Sequence, residues 1–247
     1  MKKQLLLISN STNADELYLE WPRPYIRQFL EGKGVKRILF VPYAGISLDP
    51  SSLERSYDLY EQKVNQVFAS LGYEIYSIHR EPDPAEAIEK AEAIAIGGGN
   101  TFHLVHMMHK LDLITLIHNR VKEGIPYLGW SAGANVVCPS LKTTNDMPII
   151  EPATFQCLHL VPFQINPHYL DAHPEGHGGE TRQQRIEEFL LINRDIFVVG
   201  LREATLLQVE GNQVFLKGIR PMRLFRYGRE PEEFEPGSDI NILMDYA

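Results

Sequence analysis

The residues most able to do covalent chemistry are Gly129-Trp130-Ser131-Ala132-Gly133, a G-x-S-x-G between an apolar run and a helical one. A serine on a sharp strand-to-helix turn presents its hydroxyl clear of the backbone. Glycines two before and two after remove the side chains that would crowd it. The plain alternative is a tight turn with an incidental serine. A serine hydroxyl attacks only when a base takes its proton, and nine histidines are present. His103, His106, His109 and His118 fall in one helical stretch, His159 lies in a strand-like run and His79 ends one. His173 and His177 share a loop and, with His168, could be imagined as metal ligands, but their spacing matches no established zinc signature. His168, in Ile165-Asn166-Pro167-His168, follows a proline-stiffened strand end that would hold an imidazole in a fixed orientation. Glu203, just past Val198-Val199-Gly200-Leu201-Arg202, is placed to orient that imidazole. Its ordinary fate would be a solvated pair with Arg202. The chain order Ser131, His168, Glu203 is not that of α/β-hydrolases, where the acid precedes the histidine.

Gly97-Gly98-Gly99-Asn100 offers exposed backbone N–H groups. A phosphate cradle is one use, but Phe102 stands where the dinucleotide fingerprint needs glycine, and no Gly-Lys-Ser/Thr follows. An oxyanion hole fits better, a glycine N–H joining that of Ala132. A tight turn between strand and helix is the alternative.

These groups need a frame. Apolar runs predict strands at Gln4–Ser9, Arg37–Pro42, Glu74–His79, Ala93–Ile96, Ile125–Trp130, Leu158–Ile165 and Asp195–Leu201. Helices are expected near Pro24–Glu31, Ser51–Leu71, Pro84–Ala91, Thr101–Val121, Ala132–Cys138 and Thr181–Leu191. Strand–helix alternation with consecutive apolar positions implies a doubly wound, mostly parallel sheet. Gly97–Asn100, Ser131, His168 and Glu203 each follow a strand, and such sheets collect function outside their carboxyl ends. Thr205–Glu210 and Val214–Lys217 flank Gly211-Asn212 and read as a hairpin. The 247 residues read as a single α/β domain, with 230–247 an unassigned tail.

Composition narrows the classes. Hydrophobic residues make up 44% and charged residues 23%, enough apolar material for a full core. The net charge of −8, with no basic cluster, argues against nucleic acid and means an acidic ligand needs a local cation. Two cysteines without metal-type spacing argue against a disulfide framework or cysteine zinc site. Leu5-Leu6-Leu7-Ile8 is too short for a secretory apolar region, and no stretch approaches the ~20 apolar residues of a membrane span. The expectation is a cytoplasmic protein without a membrane partner.

Beyond the serine, histidine and glycine motifs, Thr143-Thr144-Asn145-Asp146-Met147-Pro148-Ile149 and Pro174-Glu175-Gly176-His177-Gly178-Gly179-Glu180-Thr181-Arg182 add a recognisable pattern. Together these stretches, from the first strand to about Gln208, resemble the peptidase E family of α-aspartyl dipeptidases. Trp130 and Asn145-Asp146-Met147-Pro148 separate this branch from the related cyanophycinases. The resemblance implies a class I glutamine amidotransferase-like (flavodoxin-like) fold and a Ser131-His168-Glu203 triad with Gly99 and Ala132 as oxyanion donors. It also implies hydrolysis of small acidic Asp-X dipeptides, with no metal or organic cofactor. A monomer or homodimer is expected. The competing readings are a cyanophycinase-like β-aspartyl peptidase and a non-catalytic anion-binding module of the same fold.

Aspartate specificity also has a physical argument. Thr181-x-x-Gln184 is a capping box, which places Arg182 at the first helical position, where a cation opposes the helix dipole. Arg182 shares a face with Ile186, Phe189 and Leu190 and so points toward the interior edge. A guanidinium there can clamp a carboxylate; snorkelling or pairing with Glu180 is the ordinary alternative. With the resemblance, Asn100 and Asp146 become candidate pocket residues, Asp146 otherwise supporting His168 or capping a turn in Thr143–Asp146.

Overall fold

Runs of consecutive apolar residues become strands buried on both faces. In the computed structural model, which describes residues 3–171, 176 and 178–245, β1 (Gln4–Ile8), β2 (Arg37–Val41), β3 (Glu74–Ser77), β4 (Ile94–Ile96) and β5 (Pro126–Trp130) are parallel. Two later strands, β8 (Thr205–Glu210) and β9 (Gln213–Gly218), add an antiparallel hairpin to complete a seven-stranded sheet, order β3-β2-β4-β5-β1-β8-β9. The hairpin turns on Gly211-Asn212 with Gly211 at φ 64°, the positive φ that a II′ turn needs at its first central position.

Alternation along the strands divides the core between two faces. Leu6, Ile8, Ile38, Phe40, Leu128 and Trp130 pack with α1 (Arg23–Leu30) and most of α2 (Leu53–Ser70). Leu5, Leu7, Leu39, Val41, Ile94 and Ile96 face α3 (Pro84–Lys90), α4 (Thr101–Lys110), α5 (Leu113–Glu123) and the short α6 (Ala132–Asn135). The mostly parallel, helix-covered sheet expected from the sequence is present, with the hairpin at its edge. Among the described residues no helix is long and apolar enough to cross a membrane.

The departures have local causes. The helix expected over Thr101–Val121 is two helices, because Asp112 adopts φ 54° and breaks the backbone between α4 and α5. Aspartate tolerates this left-handed conformation better than most residues, and hydrophobic periodicity does not register a one-residue break. The strand expected over Leu158–Ile165 shrinks to β6 (Gln164–Pro167). Leu158, His159 and Leu160 instead donate their N–H groups to Val136, Cys138 and Val137, so this apolar run packs onto the chain after α6 and joins no ladder. Likewise Asp195–Leu201 orders as a strand only at β7 (Val198–Leu201).

β6 and β7 also lie in a different sheet from the one expected. They pair in parallel within a four-stranded sheet, order β11-β10-β7-β6, completed by β10 (Met222–Phe225) and β11 (Glu232–Phe234). The tail therefore supplies a strand, and its 3-10 turn at Asn241–Met244 buries Leu243 and caps Val214 N–H through Asn241 Oδ1. Buried Arg202 explains why so polar a tail docks: it bonds both oxygens of Asp171 at 2.7 and 2.6 Å and both of Glu233 at 2.7 and 3.0 Å. Hydrogen bonding to Arg202 holds both carboxyls below their ordinary pKa. α7 (Arg182–Ile192) covers this sheet through Ile186 and Leu190, against Val198 and Phe225.

Candidate active site

Ser131 sits between β5 and α6 at φ 54°, ψ −112°, a conformation costly for any residue with a side chain. The neighbouring glycines make the turn sterically feasible. A Cβ on Gly129 would lie 2.2 Å from Gly133 O, and one on Gly133 would lie 2.1 Å from Ile96 O. The G-x-S-x-G spacing is therefore dictated by backbone crossing backbone.

The imidazole of His168 lies between Ser131 and Glu203, with Nε2 2.9 Å from Ser131 Oγ and Nδ1 2.9 Å from Glu203 Oε1. Glu203 does not pair with Arg202, whose guanidinium is committed to Asp171 and Glu233. With the carboxylate on Nδ1, the tautomer carrying its proton there leaves Nε2 free to accept from the hydroxyl.

The end of β1 ties the three segments together. Ser131 N–H donates to Ile8 O at 2.9 Å, His168 N–H to Ser9 Oγ at 3.0 Å, and Ala204 N–H to Asn10 Oδ1 at 2.9 Å. Ser9 Oγ in turn donates to Leu201 O at 2.7 Å. His168 and Ala204 both have positive φ, 52° and 61°, so these bonds fix strained backbone beside the His168–Glu203 hydrogen bond. Sequence reasoning passed over Ser9 and Asn10. The signal was available: they follow β1 at the same sheet edge as the residues it did single out.

Gly97–Asn100 forms the opposite wall. Gly97 N–H bonds Val41 O and Asn100 N–H bonds Ala44 O, while Gly98 and Gly99 N–H reach no acceptor among the described residues. Gly99 has φ 133°, and a Cβ there would lie 2.1 Å from Ala44 O. Ala132 N–H is likewise without an acceptor among the described residues. The cleft above these groups encloses about 430 Å³ and is lined in part by Ala44, Ile46, Asn100, Ser131 and Ile149. Asn100 is an N-cap: its Oδ1 accepts from His103 N–H and its Nδ2 donates to Met147 O.

Asp146 and Arg182 line a neighbouring cavity of about 190 Å³ with Asn145, Asn166 and Phe189. Asp146 does not support His168. Its Oδ2 accepts from Thr101 N–H at 2.7 Å, Thr101 Oγ1 at 2.6 Å and Thr144 Oγ1 at 3.1 Å, fixing the start of α4. The capping box at Thr181 and Gln184 is present. Arg182 is half-buried and makes no hydrogen bond or ion pair among the described residues; Glu180 pairs with Arg185. Burial lowers the Arg182 pKa, Arg185 lowers it further, and Asp146 opposes them. Asn166 adds a buried Oδ1 without a partner among the described residues. His173 and His177 lie outside the described residues.

Among the described residues, Asp58, Glu61 and His79 bring three metal-type ligand atoms together. Arg80 already bonds Asp58 and Glu61, each at 2.7 Å, and so offsets part of their charge.

A doubly wound α/β protein with a serine–histidine–glutamate row at its sheet edge is the frame of a hydrolase. Residues 5–217 match Peptidase family S51, and the chain belongs to that family. It is 49% identical over 247 residues to the peptidase E of Nostoc sp., covering 100% of this chain and 99% of that one. A Salmonella paratyphi A peptidase E is 44% identical over 234 residues, 95% of this chain and 98% of its own. Two solved structures share the fold. A putative peptidase E protein from Listeria monocytogenes EGD-e has a TM-score of 0.63 at 20% identity, covering 89% of this chain and 100% of that one. A peptidase from an acI-B1 Actinobacterium has a TM-score of 0.69 at 18% identity, covering 96% of each.

Proposed function

We propose that this peptidase is a cytoplasmic serine dipeptidase that cuts after the N-terminal aspartate of small Asp-X peptides through an acyl-enzyme. The observation that carries the reading is the unbroken row Ser131 Oγ, His168 Nε2, His168 Nδ1 and Glu203 Oε1, both links at 2.9 Å. His168 takes the Ser131 proton as Oγ attacks the aspartyl carbonyl, and Glu203 stabilises the imidazolium. The N–H groups of Gly99 and Ala132 receive the oxyanion. His168 then protonates the leaving amine, and water releases aspartate by the same route in reverse.

Aspartate selection rests on Arg182. A half-buried guanidinium with no partner among the described residues is a costly arrangement that a substrate carboxylate would relieve through paired charge-assisted hydrogen bonds. Cys138 and Cys157 are buried free thiols, a usage at home in a reducing compartment.

The test is hydrolysis of Asp-Leu, Glu-Leu, β-Asp-Leu and Ala-Leu by wild type and Ser131→Ala, without added metal. Cleavage of Asp-Leu alone, reduced about 10⁴–10⁶-fold in S131A, is expected. Cleavage of β-Asp-Leu alone would keep the serine chemistry and replace the linkage. Turnover that survives S131A would remove Ser131 from the mechanism.

A further inference from the structure

Within the cleft wall lies a mostly buried phenol that the mechanism above does not use. Tyr60, in the middle of α2, is 5% exposed. Its hydroxyl donates to Gly98 O at 2.9 Å and accepts from Trp130 Nε1 at 3.1 Å and Tyr18 Oη at 3.3 Å. Burial pushes its pKa up to about 12, so it remains a donor through the neutral range. The position is tightly defined: a Cβ on Gly97 would lie 2.5 Å from the hydroxyl oxygen.

The acceptor matters because of what shares its peptide unit. Gly98 C=O and Gly99 N–H belong to one rigid trans peptide and point in opposite directions. Gripping the oxygen therefore fixes the direction of the N–H. Without that grip, a peptide between two glycines has little resisting its reorientation. The same hydroxyl holds the indole of Trp130, the residue immediately before Ser131. One phenol thus joins the glycine wall to the nucleophile's strand.

Resting on the serine-peptidase reading, we propose that Tyr60 is a positioning residue whose hydroxyl holds the Gly98–Gly99 peptide with the Gly99 N–H facing the developing oxyanion. A group that acts this way matters once charge appears on the carbonyl oxygen, and little when substrate first binds. Deleting an oxyanion donor outright costs about 10²–10³ in kcat, and loosening one costs a part of that, about 10–50-fold.

Tyr60→Phe retains the ring and removes the hydroxyl. For Asp-Leu, kcat falls about 10–50-fold while KM stays within about twofold. Inhibition by an aspartyl aldehyde, whose hemiacetal places an oxyanion at the same position, weakens by a similar factor. Competitive inhibition by free aspartate does not change. Labelling by a fluorophosphonate slows likewise, since Ser131 Oγ bonds phosphorus, fluoride leaves, His168 takes the proton and the phosphoryl oxygen occupies the oxyanion site. Tyr18→Phe, which keeps the Tyr60–Gly98 bond, loses less than about threefold. Unchanged kcat in Y60F, a parallel loss of aspartate inhibition, or equal losses in Y18F and Y60F would each overturn the proposal. Wild type that takes the label but cuts no aspartyl peptide removes the aspartate reading, and the two labelling rates still decide Tyr60. Wild type that does neither removes both.

Discussion

The two sheets divide the candidate site unequally. The seven-stranded sheet supplies Ser131 and the Gly97–Asn100 wall, where a Cβ on Gly99, Gly129 or Gly133 would run into backbone. The four-stranded sheet supplies His168 after β6 and Glu203 after β7, and their side chains are 38% and 40% exposed. A nucleophile and its oxyanion donors need fixed backbone, which a deep parallel sheet provides. The base acts through its side chain alone, and the rim of a smaller sheet suits it. The row therefore crosses a seam between sheets, and residues 8–10 of β1 and its end hold that seam.

The sharpest way to break this division is to disable the small sheet's contribution alone. Glu203→Gln keeps the shape but removes the charge that stabilises the imidazolium, and kcat is expected to fall about 10²–10⁴-fold with little change in thermal stability. A loss below tenfold would show that the large sheet suffices. Next is Arg182→Leu on α7, expected to cost about 10²–10³-fold in kcat/KM for Asp-Leu while leaving the rate of fluorophosphonate labelling unchanged. An undiminished preference for aspartate removes the clamp. The smallest effect tests the seam. Asn10→Ala leaves the buried Ala204 N–H unpaired and should cost about 1–3 kcal/mol in urea unfolding. It should also lower kcat several-fold by releasing Glu203. Stability lost without any change in kcat would make Asn10 a fold residue alone.

Much of this was legible in residue types. Leu5-Leu6-Leu7-Ile8 and Ile38-Leu39-Phe40-Val41 announce two-face burial, and they are strands of the parallel sheet. Ser131, His168 and Glu203 each follow a strand, as their positions in the sequence imply, but they meet across two sheets and not at one edge. Thr181 and Gln184 form their capping box because that motif depends only on residues three apart. What failed depended on partners. Leu158–Val161 looks like a strand in composition, yet its amides bond the chain after α6. Asp146 reads as a pocket residue, a support for His168 or a turn cap, and its carboxylate bonds Thr101 and Thr144 and not His168.

By itself the sequence determined the local geometry: the glycine-flanked serine, the proline before the histidine, the alternation of strand and helix. These follow from steric and periodic rules acting within a few residues. The tertiary structure decided that β6 and β7 leave the main sheet, that β10 and, from the polar tail, β11 join them, and that Arg202 binds Asp171 and Glu233 and leaves Glu203 to the imidazole. It also decided that Ser9 and Asn10 tie the site together. Each of these is a choice among competing partners far apart in the chain. Such choices are settled by which polar groups are left to bond once the apolar faces are buried.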